Sequence, residues 1–120
     1  VSEEIVKKLV DEVPEVESAV IIDEDGIIVH KYSKDEITVD PEDIATQLVN
    51  PVKSIERSIQ DATEEKEISE EIIIFSKNLV IFVYKLVNDT YLIVIAKNNP
   101  LYGRTRFRLR TKIPQIIKSL

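Results

Sequence analysis

The chain contains no cysteine, no methionine and no tryptophan, one histidine and only two glycines, Gly26 and Gly103, in 120 residues. Without cysteine there is no disulfide, no thiolate nucleophile and no cysteine-ligated metal, which fits a cytoplasmic protein. Two glycines cannot build a Gly-x-x-x-x-Gly-Lys or a Gly-x-Gly-x-x-Gly loop, so both familiar phosphate cradles are excluded. A histidine-based triad or zinc site would have to use His30, which has no partner at ligand spacing and reads as an ordinary strand residue. No apolar run approaches the roughly 20 residues a membrane helix needs, and no signal peptide is recognisable. The expectation is a soluble, cytoplasmic chain that is not an enzyme, holds no cofactor or metal and does not insert into a membrane.

Hydrophobic residues make up 43% of the chain and charged residues 32%, enough for a real core beneath a soluble surface. The length suits a single domain over residues 1–120. The net charge of −6 argues against a general nucleic-acid binder. That charge is unevenly placed. Every acidic residue precedes Tyr91, whereas Tyr91–Leu120 carries Lys97, Arg104, Arg106, Arg108, Arg110, Lys112 and Lys118 with no acid among them.

The pattern predicts eight elements. Ser2 caps a helix over residues 3–13, with Glu3 and Glu4 in its first turn and Ile5, Val6, Leu9, Val10 and Val13 at helical spacing. Val16–Ile22 and Ile27–Tyr32 flank Asp23-Glu24-Asp25-Gly26, a hairpin in which Gly26 supplies a positive φ. Asp40-Pro41-Glu42-Asp43 starts a long helix over residues 41–62, with Ile44, Leu48, Val52, Ile55, Ile59 and Ala62 as its stripe and a kink expected at Pro51. Three strands follow, Glu71–Phe75, Leu79–Leu86 and Tyr91–Lys97, joined by turns too short for anything but antiparallel pairing. Their near-continuous apolar character implies burial on both sheet faces. Asn99 as cap and Pro100 at the first position open a last helix, which Pro114 is expected to bend. The fold class is α+β, in the order α-β-β-α-β-β-β-α.

Other candidate chemistry is thin. Asp23–Gly26 lacks calcium-loop spacing, since counting from Asp23 the glycine is fourth and the twelfth residue is Lys34. Glu64, Glu65, Glu67, Glu70 and Glu71 read as a solvated connection or as a contact for a basic partner. The alternating arginines fan around the last helix. They balance the acidic body, or serve an acidic partner or an anionic lipid surface. The long helix offers Glu42, Asp43, Thr46, Gln47, Asn50, Lys53, Ser54 and Arg57, a mixed polar set that is either a binding face or the wet side of the helix.

Two segments carry a resemblance. Pro14–Gly26, ending Asp23-Glu24-Asp25-Gly26, and Asn99-Pro100-Leu101-Tyr102-Gly103-Arg104 resemble the first strand with its glycine turn and the approach to the last helix in the Roadblock/dynein-light-chain family. That family includes bacterial gliding-motility GTPase regulators. The resemblance implies a profilin-like, five-stranded antiparallel sheet with the long helix on one face and the terminal helices on the other. It also implies a homodimer made by pairing third strands and packing long helices, which places Ile72, Ile73, Ile74, Phe75, Leu48, Val52 and Ile55 at the interface. An open Ile-Ile-Ile-Phe edge is an aggregation hazard that such pairing removes. The implied function is a non-catalytic regulator that binds a small Ras-like GTPase on the long-helix face and modulates its nucleotide cycle. The alternative is a dimeric adaptor in a motor or signalling scaffold, and a small-molecule sensor is a third reading.

Overall fold

A computed structural model describes residues 2–99 and 101–120, apart from the Ser2 side chain. The predicted Ser2 cap and the place of Pro100 lie outside what is described. The elements are α1 (Ser2–Glu12), β1 (Val16–Asp23), β2 (Ile28–Ser33), α2 (Pro41–Ala62), β3 (Glu71–Phe75), β4 (Leu79–Lys85), β5 (Thr90–Lys97) and α3 (Tyr102–Ser119). The five strands form one antiparallel sheet in the order β2-β1-β5-β4-β3.

Strand periodicity sorts the core into two layers. Ala19 and Ile21, Val80, Phe82 and Tyr84, and Leu92, Val94 and Ala96 point toward α1 and α3, joining Val6, Leu9, Leu109 and Ile116. Their neighbours Val20, Ile22, Ile81, Val83, Ile93 and Ile95 point the other way, against Ala45, Val49 and Val52 of α2. The three inner strands are therefore largely apolar, because both faces are covered; Glu17 and Ser18 of β1 are buried polar exceptions. Edge strand β2 instead alternates between exposed and half-buried residues.

The turns follow from local chemistry. At β1–β2, Asp23 Oδ1 accepts the amides of Asp25 and Ile27, both at 2.9 Å, and Gly26 takes φ +85°. At β4–β5, Asn88 and Asp89 both have positive φ (58° and 54°), the requirement of the mirror-image two-residue hairpin turn that matches strand twist. The β2–α2 connection is pinned by Glu17, buried at 3% exposure, whose carboxylate accepts the Thr38 amide at 2.8 Å and the Thr38 hydroxyl at 2.6 Å. Thr38→Val removes one of these charge-assisted bonds. It is expected to cost about 1.5–3 kcal/mol, read as a lower urea midpoint at unchanged m-value.

Two expectations need correction, those for the start of the last helix and for the apolar stripe of α2. The last helix starts at Tyr102: Asn99 Oδ1 accepts the Leu101 amide at 2.8 Å and so organises a turn ahead of α3. As expected for Pro51, the helix does not stop there, and α3 likewise continues past Pro114. Both prolines lie on exposed positions, where water can satisfy the carbonyl that loses its amide partner. The stripe of α2 that meets the sheet is Pro41, Ala45, Val49, Val52 and Glu56, displaced around the helix from the one predicted.

Candidate interaction surfaces

Helix α2 begins where Asp40, in extended conformation, accepts the Glu42 amide on Oδ1 at 3.0 Å, with Pro41 opening the first turn. Its apolar residues extend beyond the buried stripe. Ile44 and Leu48 are half-buried, while Ile55 and Ile59 are exposed at 44% and 38%. With Pro51 they follow steps of three and four, forming an apolar seam alongside the covered one.

The predicted partner-facing residues separate into two groups. Glu42 pairs with Lys31, and Lys53 Nζ donates to the Glu24 carbonyl at 3.3 Å, so both are tied to the body of the protein. Asp43, Thr46, Gln47, Asn50, Ser54 and Arg57 are exposed. Gln47 donates to Asp43 at 2.7 Å and Thr46 to the Glu42 carbonyl at 2.8 Å, so their side chains have preferred positions along the helix.

Strand β3 pairs only with β4, and its outer edge is open among the described residues. Ile72 and Ile74 lie in the α2 layer, whereas Ile73 packs into the α1–α3 layer. Phe75 is half-exposed and meets Tyr102 edge-on, with ring centroids 4.9 Å apart. The predicted interface set is thus divided between the two faces of the sheet. Val52, named in that set, is 3% exposed on the sheet-facing side of α2; its surface is used by the core and little is left for a partner.

A groove of about 740 Å³ runs beside β3, between α3 and the segment that follows α2. In its lining the Arg106 guanidinium grips Glu71, with Nε at 2.9 and 3.0 Å from the two carboxylate oxygens and a third contact, from a terminal nitrogen, at 2.6 Å. Burial pushes the Glu71 carboxyl upward, but the Arg106 fork, the neighbouring Tyr84 hydroxyl and the positive charges of Arg106 and Arg110 outweigh it. The carboxyl is held below its ordinary range. The Tyr84 phenol is driven the other way, first by burial and then by the carboxylate beside it. A depressed carboxyl stabilises the fold above its unfolded pKa, and that contribution is lost as pH falls through the folded value. Arg106→Met is therefore expected to narrow the stability lost on going from about pH 5 to about pH 3. Thermal melts across that range would check this, and parallel curves for the two proteins would contradict it.

Sequence reasoning missed this cluster and the buried Glu56–Lys85 pair, because both partners lie far apart in the chain. No group of three or more histidine, cysteine or carboxylate residues able to hold a metal occurs among the described residues. No helix of these residues is long and apolar enough to cross a membrane.

A five-stranded antiparallel sheet with one long helix on one face, two terminal helices on the other and a third strand whose outer edge is open among the described residues defines a small α+β domain of the Roadblock architecture. The sequence profile of the Roadblock/LC7 domain matches residues 3–96, and the chain belongs to that family. No curated protein matches it by sequence. Among solved structures it is similar to MglB of Myxococcus xanthus (TM-score 0.81, 13% identity, 98% of this chain and 92% of that one). It is also similar to the gliding protein MglB of Thermus thermophilus (0.81, 12%, 98% and 86%) and to MglC of Myxococcus xanthus (0.71, 18%, all of both chains). At these identities the likeness concerns the fold.

Proposed function

We propose that this chain acts as a homodimer that binds a small Ras-like GTPase on its α2 side and modulates its nucleotide cycle without contributing catalytic groups. The observation that carries the reading is the open β3 edge beside an uncovered apolar seam. Ile72 and Ile74 sit on the same side of the sheet as Ile55 and Ile59, and together they are the surface a two-fold partner would cover. Antiparallel pairing of β3 with its copy would join two sheets into one and set the two α2 helices side by side. The exposed polar residues Asp43, Gln47, Asn50 and Arg57 would then form a platform rimmed by apolar contacts, the usual make-up of a recognition surface. Membership of the family and similarity to the MglB structures support this reading.

Light scattering at micromolar concentration is expected to give twice the chain mass. Ile74→Lys, which buries an unpaired charge at the two-fold, is expected to weaken association about 100-fold or more and leave a folded monomer. The functional arm loads a co-encoded Ras-like GTPase with GTP or GDP. Binding that depends on the nucleotide and changes turnover supports regulation, whereas tight binding with unchanged turnover favours an adaptor. A wild-type chain that is monomeric at these concentrations would remove the platform and the proposal together.

A further inference from the structure

The face of α3 turned away from the sheet has no role in the α2 platform, yet it joins one sign of charge to an exposed aromatic ring. Phe107 is 69% exposed there, the most exposed large hydrophobic residue among those described. Arg104 and Arg110 flank it three residues away on either side, with Arg108 next to it and Lys118 farther along. Of the six cations on α3, Arg106 is neutralised by Glu71 and Lys112 by Glu12. Arg104, Arg108, Arg110 and Lys118 pair with no carboxylate among the described residues. The helix itself contains no acid, so nothing on it opposes their field.

We propose that this face docks the protein reversibly on an anionic membrane surface, the unpaired arginines meeting lipid phosphates and Phe107 entering the headgroup region. Arginine suits that task because its planar fork binds phosphate oxygens in pairs and sheds water readily. An exposed aromatic ring set among cations gives the apolar part of an interfacial anchor. At 100° per residue Arg104, Phe107, Arg108, Arg110 and Lys118 spread over roughly half the circumference of the helix. Such a convex fan fits a plane better than it fits a peptide, which needs a trough for its side chains. The acids of the body constrain the pose. Glu42 and Asp43 lie on α2, which covers the opposite face of the sheet from α3, whereas Glu3, Glu4 and Asp11 are exposed on α1, which shares the side of α3. An anionic plane would therefore meet α3 while being held off α1 and α2, leaving the platform free. The inference stands on one chain. The dimer proposed above would add a second copy facing the same way and strengthen attachment by avidity.

The test is co-sedimentation of the full chain with phosphatidylcholine vesicles, plain or containing about 30% phosphatidylserine, at low salt. The protein is expected to pellet with the anionic vesicles only and to be released at about 0.5 M salt. The double change Arg104→Glu, Lys118→Glu is expected to weaken binding at least about 10-fold, and Phe107→Ala several-fold, since these exposed positions leave the melting curve unchanged. Absence of pelleting at low salt, or equal pelleting of wild type and both variants, overturns the proposal. So does retention on polyglutamate that ignores Phe107→Ala while anionic vesicles are not bound, which would assign the face to an acidic protein. Running Ile74→Lys alongside keeps the two readings apart: vesicle binding by a monomer supports this one whatever becomes of the dimer.

Discussion

Phe82→Ala is expected to lower the stability of the fold by about 3–5 kcal/mol, a large share of the roughly 5–15 kcal/mol available to a domain of this size. Phe82 lies in the middle of β4, paired with Ile73 of β3 on one side and Val94 of β5 on the other. It is fully buried, belongs to the α1–α3 layer and stacks on Tyr84 with ring planes 3° apart. Removing the ring loses its transfer free energy and leaves a cavity that rigid strand neighbours cannot close. The melting temperature is expected to fall by about 10–20 °C, followed by far-ultraviolet circular dichroism. A loss below about 1 kcal/mol would mean that the layer collapses freely onto the gap, and the tight packing of α1 and α3 against the sheet would have to be abandoned.

The strands were legible because β-branched runs bounded by turn residues leave few alternatives: Val16–Ile22, Glu71–Phe75 and Tyr91–Lys97 emerge within a residue of their observed limits. The two-layer architecture was legible for a related reason, since continuous apolar strands demand cover on both faces. Helix α2 was harder. It carries apolar residues over two adjacent stripes, so its periodicity announces an amphipathic helix without saying which stripe meets the sheet. Ala45, Val49 and Val52 hold that place, Ile44 and Leu48 pack half-buried against the same layer, and Ile55 and Ile59 are left exposed. The start of α3 was misplaced because Asn99 does cap a turn, and a capping signal alone does not distinguish a turn from the helix behind it. Glu56 was out of reach altogether. A glutamate inside a helix reads as solvent-facing until its partner is known, and Lys85 arrives from a strand 29 residues later.

That pair decides the second large effect. Lys85 Nζ lies 2.6 Å from Glu56 Oε2, and the two side chains are 30% and 7% exposed. The carboxylate sits where α2 presses on the sheet, close enough to Tyr91 to add to the upward push that burial gives its phenol. Removing the cation leaves a buried charge with nothing to offset its lost hydration. Such breaks cost about 3–5 kcal/mol in fully buried settings. The partial exposure of Lys85 admits some water, so Lys85→Ala is expected to cost about 2–3 kcal/mol at neutral pH. Glu56→Leu combined with Lys85→Met should recover most of the loss by replacing the ion pair with apolar contact. Denaturant titrations of the three proteins at neutral pH would measure both effects. A cost under about 0.5 kcal/mol for Lys85→Ala would mean that the C-terminal half of α2 is only loosely seated on the sheet. Ile55, Arg57 and Ile59 would then lack the fixed geometry that a recognition surface on this helix requires.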